Sequence, residues 1–395
     1  MIPVMRPLLG TAEADALAEV ISSGWVAQGP KVAEFERRFA AYVGAAEGVA
    51  VSSCTAALHL ALYVLGIGPG DEVVVPSFSF IASTNAVRYC GATPVFADVD
   101  PLTGNLSPTT VVPLLTERTK AVMAVHQGGM PADVDALRAC CGDVPVVEDA
   151  ACAAGSTYRG RSVGAGARLA AWSFHPRKLL TTGEGGMVTT DDPALAARLR
   201  RLREHGMNVS AADRHAAGKP IIEQYLETGF NYRMTDLQAA VGIVQLGRLP
   251  ELVSWRRVMA ARYHELLSPV PGVRAVADPD YGTTNYQTFW VLLGDDVAVE
   301  RNDVLAALAE AGVSARRGIM AAHLEPAYAD TEHVPLPVTE RLTERSLVLP
   351  LHHELTIDQQ DMVVDALAAA VRLPVRSVGT APAVDTAPAV DTATV

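Results

Sequence analysis

The chain has 395 residues, of which 49% are hydrophobic and 19% charged, and a formal net charge of -12. That length supports a substantial core in two lobes, since single cores stop growing near roughly 250–300 residues. The acidic balance excludes nucleic acid and anionic membranes as partners, because both need clustered cationic surface, while leaving room for a local anion pocket.

In chain order, the first residues (Met1-Ile2-Pro3-Val4-Met5-Arg6-Pro7) lack the apolar core of a signal peptide. No uninterrupted apolar run approaches the roughly 20 residues of a membrane span, so a soluble, cytoplasmic protein is expected. Ser53-Cys54-Thr55-Ala56-Ala57 closes a strand and opens a helix over 57–62. Short apolar runs follow at 73–75, 95–97, 121–125, 145–147 and 170–174, each bounded by Gly, Pro, Asp or Asn. Such continuous runs predict strands buried on both faces of a mostly parallel sheet. Helical periodicity at 111–115 and 133–138 lies between them. The expected architecture is α/β, a three-layer, mostly parallel sheet over residues 1–245 that includes an N-terminal arm. A long Arg-rich helix over 237–267 leads into a smaller α+β lobe at 246–375, with a strand at 288–293 and a helix at 303–308. The repeat Thr380-Ala381-Pro382-Ala383-Val384-Asp385 and Thr386-Ala387-Pro388-Ala389-Val390-Asp391 marks residues 376–395 as a disordered extension.

The five cysteines (Cys54, Cys90, Cys140, Cys141 and Cys152) are odd in number and lack metal-ligand spacing. Free thiols in a reducing compartment are expected, and no metal site.

Lys178 is one of four lysines set against twenty-eight arginines. Arginine holds its proton too tightly to act as a nucleophile, whereas a desolvated lysine amine can form a Schiff base. Two more chemistry-bearing groups fall at predicted strand ends, where α/β sheets collect their ligands. Asp149 closes one strand, and the start at Ser53-Cys54-Thr55 offers hydroxyls and free N–H groups to a phosphate. Singly, each has a plain alternative: a surface lysine, a buried Asp capping a loop, an ordinary helix cap. Jointly they meet the three needs of pyridoxal phosphate (PLP), which are an imine-forming amine, a carboxylate for the ring nitrogen and a phosphate cradle.

The chain also carries Ser23-Gly24-Trp25 with Gly29-Pro30, Phe35-Glu36, Gly68-Pro69-Gly70-Asp71-Glu72-Val73 and Glu148-Asp149-Ala150-Ala151. Further on come Ser173-Phe174-His175-Pro176-Arg177-Lys178, Gly183-Glu184-Gly185-Gly186 and Gly229-Phe230-Asn231-Tyr232-Arg233-Met234. In this ordered series, over about residues 5–370, the chain resembles the DegT/DnrJ/EryC1/StrS family of fold-type-I, PLP-dependent sugar aminotransferases. The resemblance implies that Lys178 is the Schiff-base lysine and proton carrier and that Asp149 pairs with the ring nitrogen. Phe80 and Ala151 would flank the ring, and Thr55, the backbone of Ala56 and Ser173 would hold the phosphate. Asn231 would join them from a second subunit, implying a homodimer with shared sites.

Family members with histidine at the lysine position act as dehydratases, so Lys178 favours transamination. Two residues depart from the pattern. Cys54 stands where Gly is common, and Cys152 where relatives carry Gln or His against the ring hydroxyl, a weaker hydrogen-bond donor.

His126 reads equally as a substrate contact or a satisfied strand-end histidine, and His175 and the pair Cys140-Cys141 read as structural. Arg233 either holds the Asn231 turn or meets an anionic substrate group. His323 lies in a segment that resembles a substrate-proximal one. The implied reaction passes an amino group from an amino acid, with L-glutamate the expected donor, to a keto group of a nucleotide-linked deoxysugar. Alternatives are the same chemistry on a keto-cyclitol or related ketone, or a PLP-binding regulator without turnover. The arginine bias fits a GC-rich bacterial genome, where similar enzymes serve antibiotic or surface-glycan pathways.

Overall fold

The structure is a computed structural model that describes residues 1–209 and 221–372; the expected extension at 376–395 lies outside the described residues. Its central sheet has seven strands. They are β1 (Glu47–Val51), β2 (Glu72–Pro76), β3 (Thr93–Ala97), β4 (Thr119–Val125), β5 (Val146–Asp149), β8 (Ala170–Ser173) and β9 (Gly186–Thr190), in the order β1-β9-β8-β5-β4-β2-β3. β8, β5, β4, β2 and β3 run parallel. β9 is antiparallel to both neighbours, so β1 points the same way as β8.

The continuous apolar runs follow from what lies on each face. Val74 of β2 and Val122 of β4 pack with Phe35, Phe39 and Trp172 on one side. Val73, Val75, Ala121 and Met123 pack with Leu58, Leu60 and Leu62 of the helix Cys54–Val64 on the other. With helices on both faces, neither set of alternate residues meets water, and polar alternation would be penalised.

One predicted helix takes a different form. Residues 111–115 divide between a four-residue helix, Pro108–Val111, and a 3-10 turn, Val112–Leu114. Pro113 lacks the N–H that would continue the α ladder, and its ring crowds the preceding turn.

The helix Asp236–Leu267 begins with a Thr235/Gln238 capping box and runs through residue 245 without a break. Beyond it, Val273–Ala275, Phe289–Leu293, Ser346–Leu349 and Arg316–Arg317 form a four-stranded antiparallel sheet, in that order. β6 (Thr157–Tyr158) and β7 (Arg161–Ser162) join Gly282–Thr283 in a small third sheet. No helix among the described residues is long and apolar enough to cross a membrane.

A buried ion pair fastens the helix Pro30–Val43 to the sheet. Arg203 donates to Glu36 and, at 2.7 Å, to the carbonyl of Ala50, while Glu36 accepts the N–H of Ala50 at 2.8 Å. Both side chains are almost wholly buried. Arg203→Ala strands the carboxylate, and we expect a loss of about 3–5 kcal/mol in denaturant unfolding. A loss below about 1 kcal/mol would mean that the pair contributes no more than a surface one.

Candidate active site

β1, β2, β4, β5 and β8 all end at one edge of the sheet, and strand addition changes direction between β2 and β4. Such a switch point leaves a crevice beyond the strand ends. A cavity of about 520 Å³ opens there.

Where β1 ends, Ser53 caps the helix Cys54–Val64 by accepting the N–H of Ala56 at 3.1 Å. The remaining N–H groups of the first turn have no carbonyl four residues back, and the helix dipole favours an anion beside them. Gly186, the first residue of β9, makes this turn possible. A Cβ there would come within 2.5 Å of the Ser53 carbonyl carbon and 2.6 Å of the Cys54 nitrogen.

Asp149, the last residue of β5, is buried, and its two oxygens have separate partners. Oδ2 accepts the hydroxyl of Ser83 at 2.8 Å and Oδ1 the N–H of Ala151 at 3.1 Å. Burial pushes this carboxyl above the usual range, only partly offset by those two bonds and by Lys178 and His126 nearby. Raising an acid this way favours its neutral form until a cation arrives.

Lys178 follows a tight turn in which its N–H returns to the carbonyl of His175 at 2.8 Å. Its Nζ donates to Cys152 Sγ at 2.9 Å. Desolvation works against the charge, while the sulfurs of Cys152 and Cys54 and the Asp149 carboxylate favour it. The balance holds the ammonium above the usual lysine value.

The cavity gathers Thr55, Phe80, Ala151, Cys152, Ser173, Lys178 and Asp149, with His126, His175, Arg177 and Glu184 also on its walls. Phe80 is 67% exposed. Ala56 differs from expectation, since its N–H is already given to Ser53. Asn231 is exposed and absent from this cavity; its backbone pairs with Glu204. Arg233 bridges to Val51 at the end of β1, away from the cavity wall. His126 is held on both nitrogens, by the N–H of Ala132 at 3.0 Å and by Glu148 at 3.2 Å. His323 is buried behind β2, 2.6 Å from the Ser77 hydroxyl, and does not line the cavity.

Three residues that position the site were not legible in the sequence. Ser83 holds Asp149. Asn285 donates to the carbonyls of Cys152 and Ala154 at 2.9 and 2.8 Å. Gln287 accepts the N–H of Leu179 at 2.9 Å and donates to the carbonyl of Arg177 at 2.6 Å, bracketing Lys178. Tyr286, between them, has a left-handed backbone (φ 50°). Arg256 holds it through the carbonyls of Tyr286 and Gln287 at 2.7 and 3.0 Å. A strained backbone of this kind persists only where its surroundings fix it.

The model of the DegT/DnrJ/EryC1/StrS aminotransferase family matches residues 7–368. The spore coat polysaccharide biosynthesis protein SpsC of Bacillus subtilis (strain 168) is 38% identical over 378 residues, 94% of this chain and 97% of that protein. The crystal structure of the aminotransferase TlmJ from Streptoalloteichus hindustanus is 40% identical, with a TM-score of 0.86 over 94% of this chain and 99% of that one. Spr1654 of Streptococcus pneumoniae in its PLP-form gives a TM-score of 0.87 at 28% identity, covering 94% and 98% of the two chains, and it is also known in a PMP-form. The chain therefore belongs to the DegT/DnrJ/EryC1/StrS aminotransferase family and is a PLP-dependent aminotransferase.

Proposed function

We propose that this enzyme transfers an amino group from an amino acid, L-glutamate first among the donors, to a keto group of a nucleotide-linked deoxysugar. The observation that carries this reading is one open cavity of about 520 Å³ with Lys178 and Asp149 on its wall and the exposed Arg177 beside them. The room suits a large polar acceptor, and a cation there suits an anionic substrate group. Likeness to a polysaccharide biosynthesis protein supports a sugar as acceptor.

The residues fit PLP by the chemistry of their donors: one amine, one buried carboxylate needing a cation, and hydroxyls at a helix start for a phosphate. PLP bound there supplies a carbonyl for an amine to condense with and a ring that accepts electrons as a substrate proton leaves. Asp149 keeps the ring nitrogen protonated, with Ser83 and the Ala151 N–H fixing both carboxylate oxygens. Phe80, Ala151 and Cys152, which line the same cavity, would hold the ring and its hydroxyl. Thr55 and Ser173 receive the phosphate. Lys178 would hold the cofactor through its amine and, once released, would serve as the base that moves the substrate proton. We take residues 1–245 as the cofactor lobe and 246–375 as the smaller lobe, which brackets Lys178 through Gln287 and holds the Cys152 turn through Asn285.

The state of Lys178 sets a pH dependence. Its ammonium is held above the usual value, so the neutral amine that captures the cofactor is scarce at neutral pH. Below that value its fraction grows about tenfold per pH unit. Stopped-flow absorbance should show capture of PLP by cofactor-free protein accelerating from pH 7 to pH 9; a flat profile would mean the amine is already neutral.

Asn231, exposed and outside its own cavity, supports the reading that it serves a partner subunit in a cytoplasmic homodimer. Lys178→Ala and Asn231→Ala should each be inactive alone, yet regain activity when refolded together, because the mixed dimer contains one intact site. No recovery would place Asn231 in its own subunit's chemistry or in none.

The acceptor is tested by loading the protein with amine from L-glutamate and then offering nucleotide-linked keto-sugars and keto-cyclitols. Return of the original visible absorbance with a nucleotide keto-sugar is the expected result. Return only with a cyclitol would replace the sugar reading.

A further inference from the structure

The same cavity holds a contact that transamination does not need. Lys178 Nζ lies 2.9 Å from Cys152 Sγ, and both line a cavity open to small solutes. Sulfur oxidised to a sulfenic acid can be attacked by a neighbouring nitrogen to give a sulfenamide. We propose that Cys152 and Lys178 form a reversible S–N cross-link under peroxide, a modification site that withdraws the amine on which the cofactor depends.

The chemistry balances in two steps. The Cys152 thiol reacts with hydrogen peroxide, losing two electrons and becoming a sulfenic acid while the peroxide is reduced to water. The Lys178 nitrogen then attacks that sulfur: the S–N bond forms, the S–O bond breaks, and the hydroxyl leaves as water with a proton from the amine. Two external thiols reverse it, restoring both side chains and leaving as a disulfide. The flexible four-carbon lysine stem closes the remaining distance.

Three of the other four thiols are poorer targets, and the fourth, Cys140, turns its sulfur to the carbonyl of Leu137 at 3.2 Å. Burial pushes Cys90 and Cys141 up to about 12 and Cys54 well above the usual thiol value, and the thiolate is the form that oxidants attack. Cys152 is the thiol with an amine in contact.

The consequence rests on the reading of Lys178 as the cofactor lysine. While that amine holds the cofactor it is not free, so the loaded protein is protected. The cross-link belongs to the cofactor-free protein and to the stage after amine transfer, when the lysine is released. Oxidation would then stop the enzyme at a state that a thiol restores, instead of at an irreversible sulfinic acid.

The test is peptide mapping without reductant of full-length protein, cofactor-free and cofactor-loaded, after treatment with stoichiometric hydrogen peroxide. The expected product in the cofactor-free sample is a peptide pair joining Cys152 to Lys178, lighter by two hydrogens and with trypsin cleavage lost at Lys178. Dithiothreitol should reverse it, Cys54→Ser should retain it, and Cys152→Ser should abolish it. The cross-linked fraction should take up no PLP until reduced. A Cys54–Cys152 disulfide, oxygen addition at Cys152 without a cross-link, or no change would each overturn the proposal. Uptake of PLP by untreated protein is read separately, so failure of the cross-link is distinguishable from failure of the cofactor assignment.

Discussion

Lys178→Arg should leave a folded protein that has lost the visible absorbance of bound PLP and whose kcat has fallen about 10⁴-fold or more. Arginine keeps the positive charge beside Cys152 and Asp149, so the change separates charge from nucleophilicity. The guanidinium cannot give up its proton at any working pH, and so can neither condense with a carbonyl nor carry a proton between carbons. A residue needed only as a counter-charge would tolerate this exchange with a loss near tenfold. Absorbance spectra and steady-state rates on the same preparation distinguish the two outcomes.

Asp149→Asn should lower kcat/KM by about 10²–10³-fold, the cost of removing one partner from a buried charge pair. The neutral amide is nearly the same shape. Its oxygen can still accept the Ala151 N–H, and its NH₂ can donate to Ser83, whose hydroxyl then turns towards Ser79, 2.8 Å away. The loss therefore reports charge at the ring nitrogen and not collapse of the site.

Stability should move the other way in the cofactor-free protein. The Asp149 carboxyl is raised by burial, so the folded chain binds its proton more tightly than the unfolded chain. Its contribution to stability is present below the unfolded value and is lost as pH rises through the folded one. At pH above that folded value the cofactor-free native protein bears a carboxylate it disfavours, and Asp149→Asn should match or exceed its Tm there. A variant that is both slow and markedly less stable at such pH would show that the carboxylate is structural.

The pattern of what the chain alone revealed has physical causes. The strands at 73–75, 121–125 and 170–174 were legible because burial on both sheet faces leaves uninterrupted apolar runs. Lys178 and Asp149 were legible because they follow such runs directly, at the end where parallel sheets gather ligands. Ser83 carried no comparable signal. It is an ordinary serine in the helix Ala82–Tyr89, brought to Asp149 from 66 positions away only by packing of that helix. Asn285 and Gln287 lie in a polar loop before a strand, and nothing in that loop announces that it brackets the Lys178 turn. The Ala56 N–H looked available because the sequence places it at a helix start; only the Ser53 rotamer reveals that it is occupied. Residues 111–115 have helical spacing, but Pro113 decides the geometry locally.

Cys152 gains the most from the geometry. In the sequence it was a departure from the Gln or His that similar proteins carry. In the fold it is the direct neighbour of Lys178, the lysine we propose holds the cofactor.

The central claim is that Lys178 is the residue that holds PLP. Borohydride reduction of the PLP-loaded protein, followed by peptide mapping, fixes the cofactor wherever it is attached. The expected result is a pyridoxyl group on Lys178 in the peptide that follows Ser173-Phe174-His175-Pro176-Arg177. A label on Lys31, Lys120 or Lys219 instead, or no label in a protein that retains its visible absorbance, would contradict it.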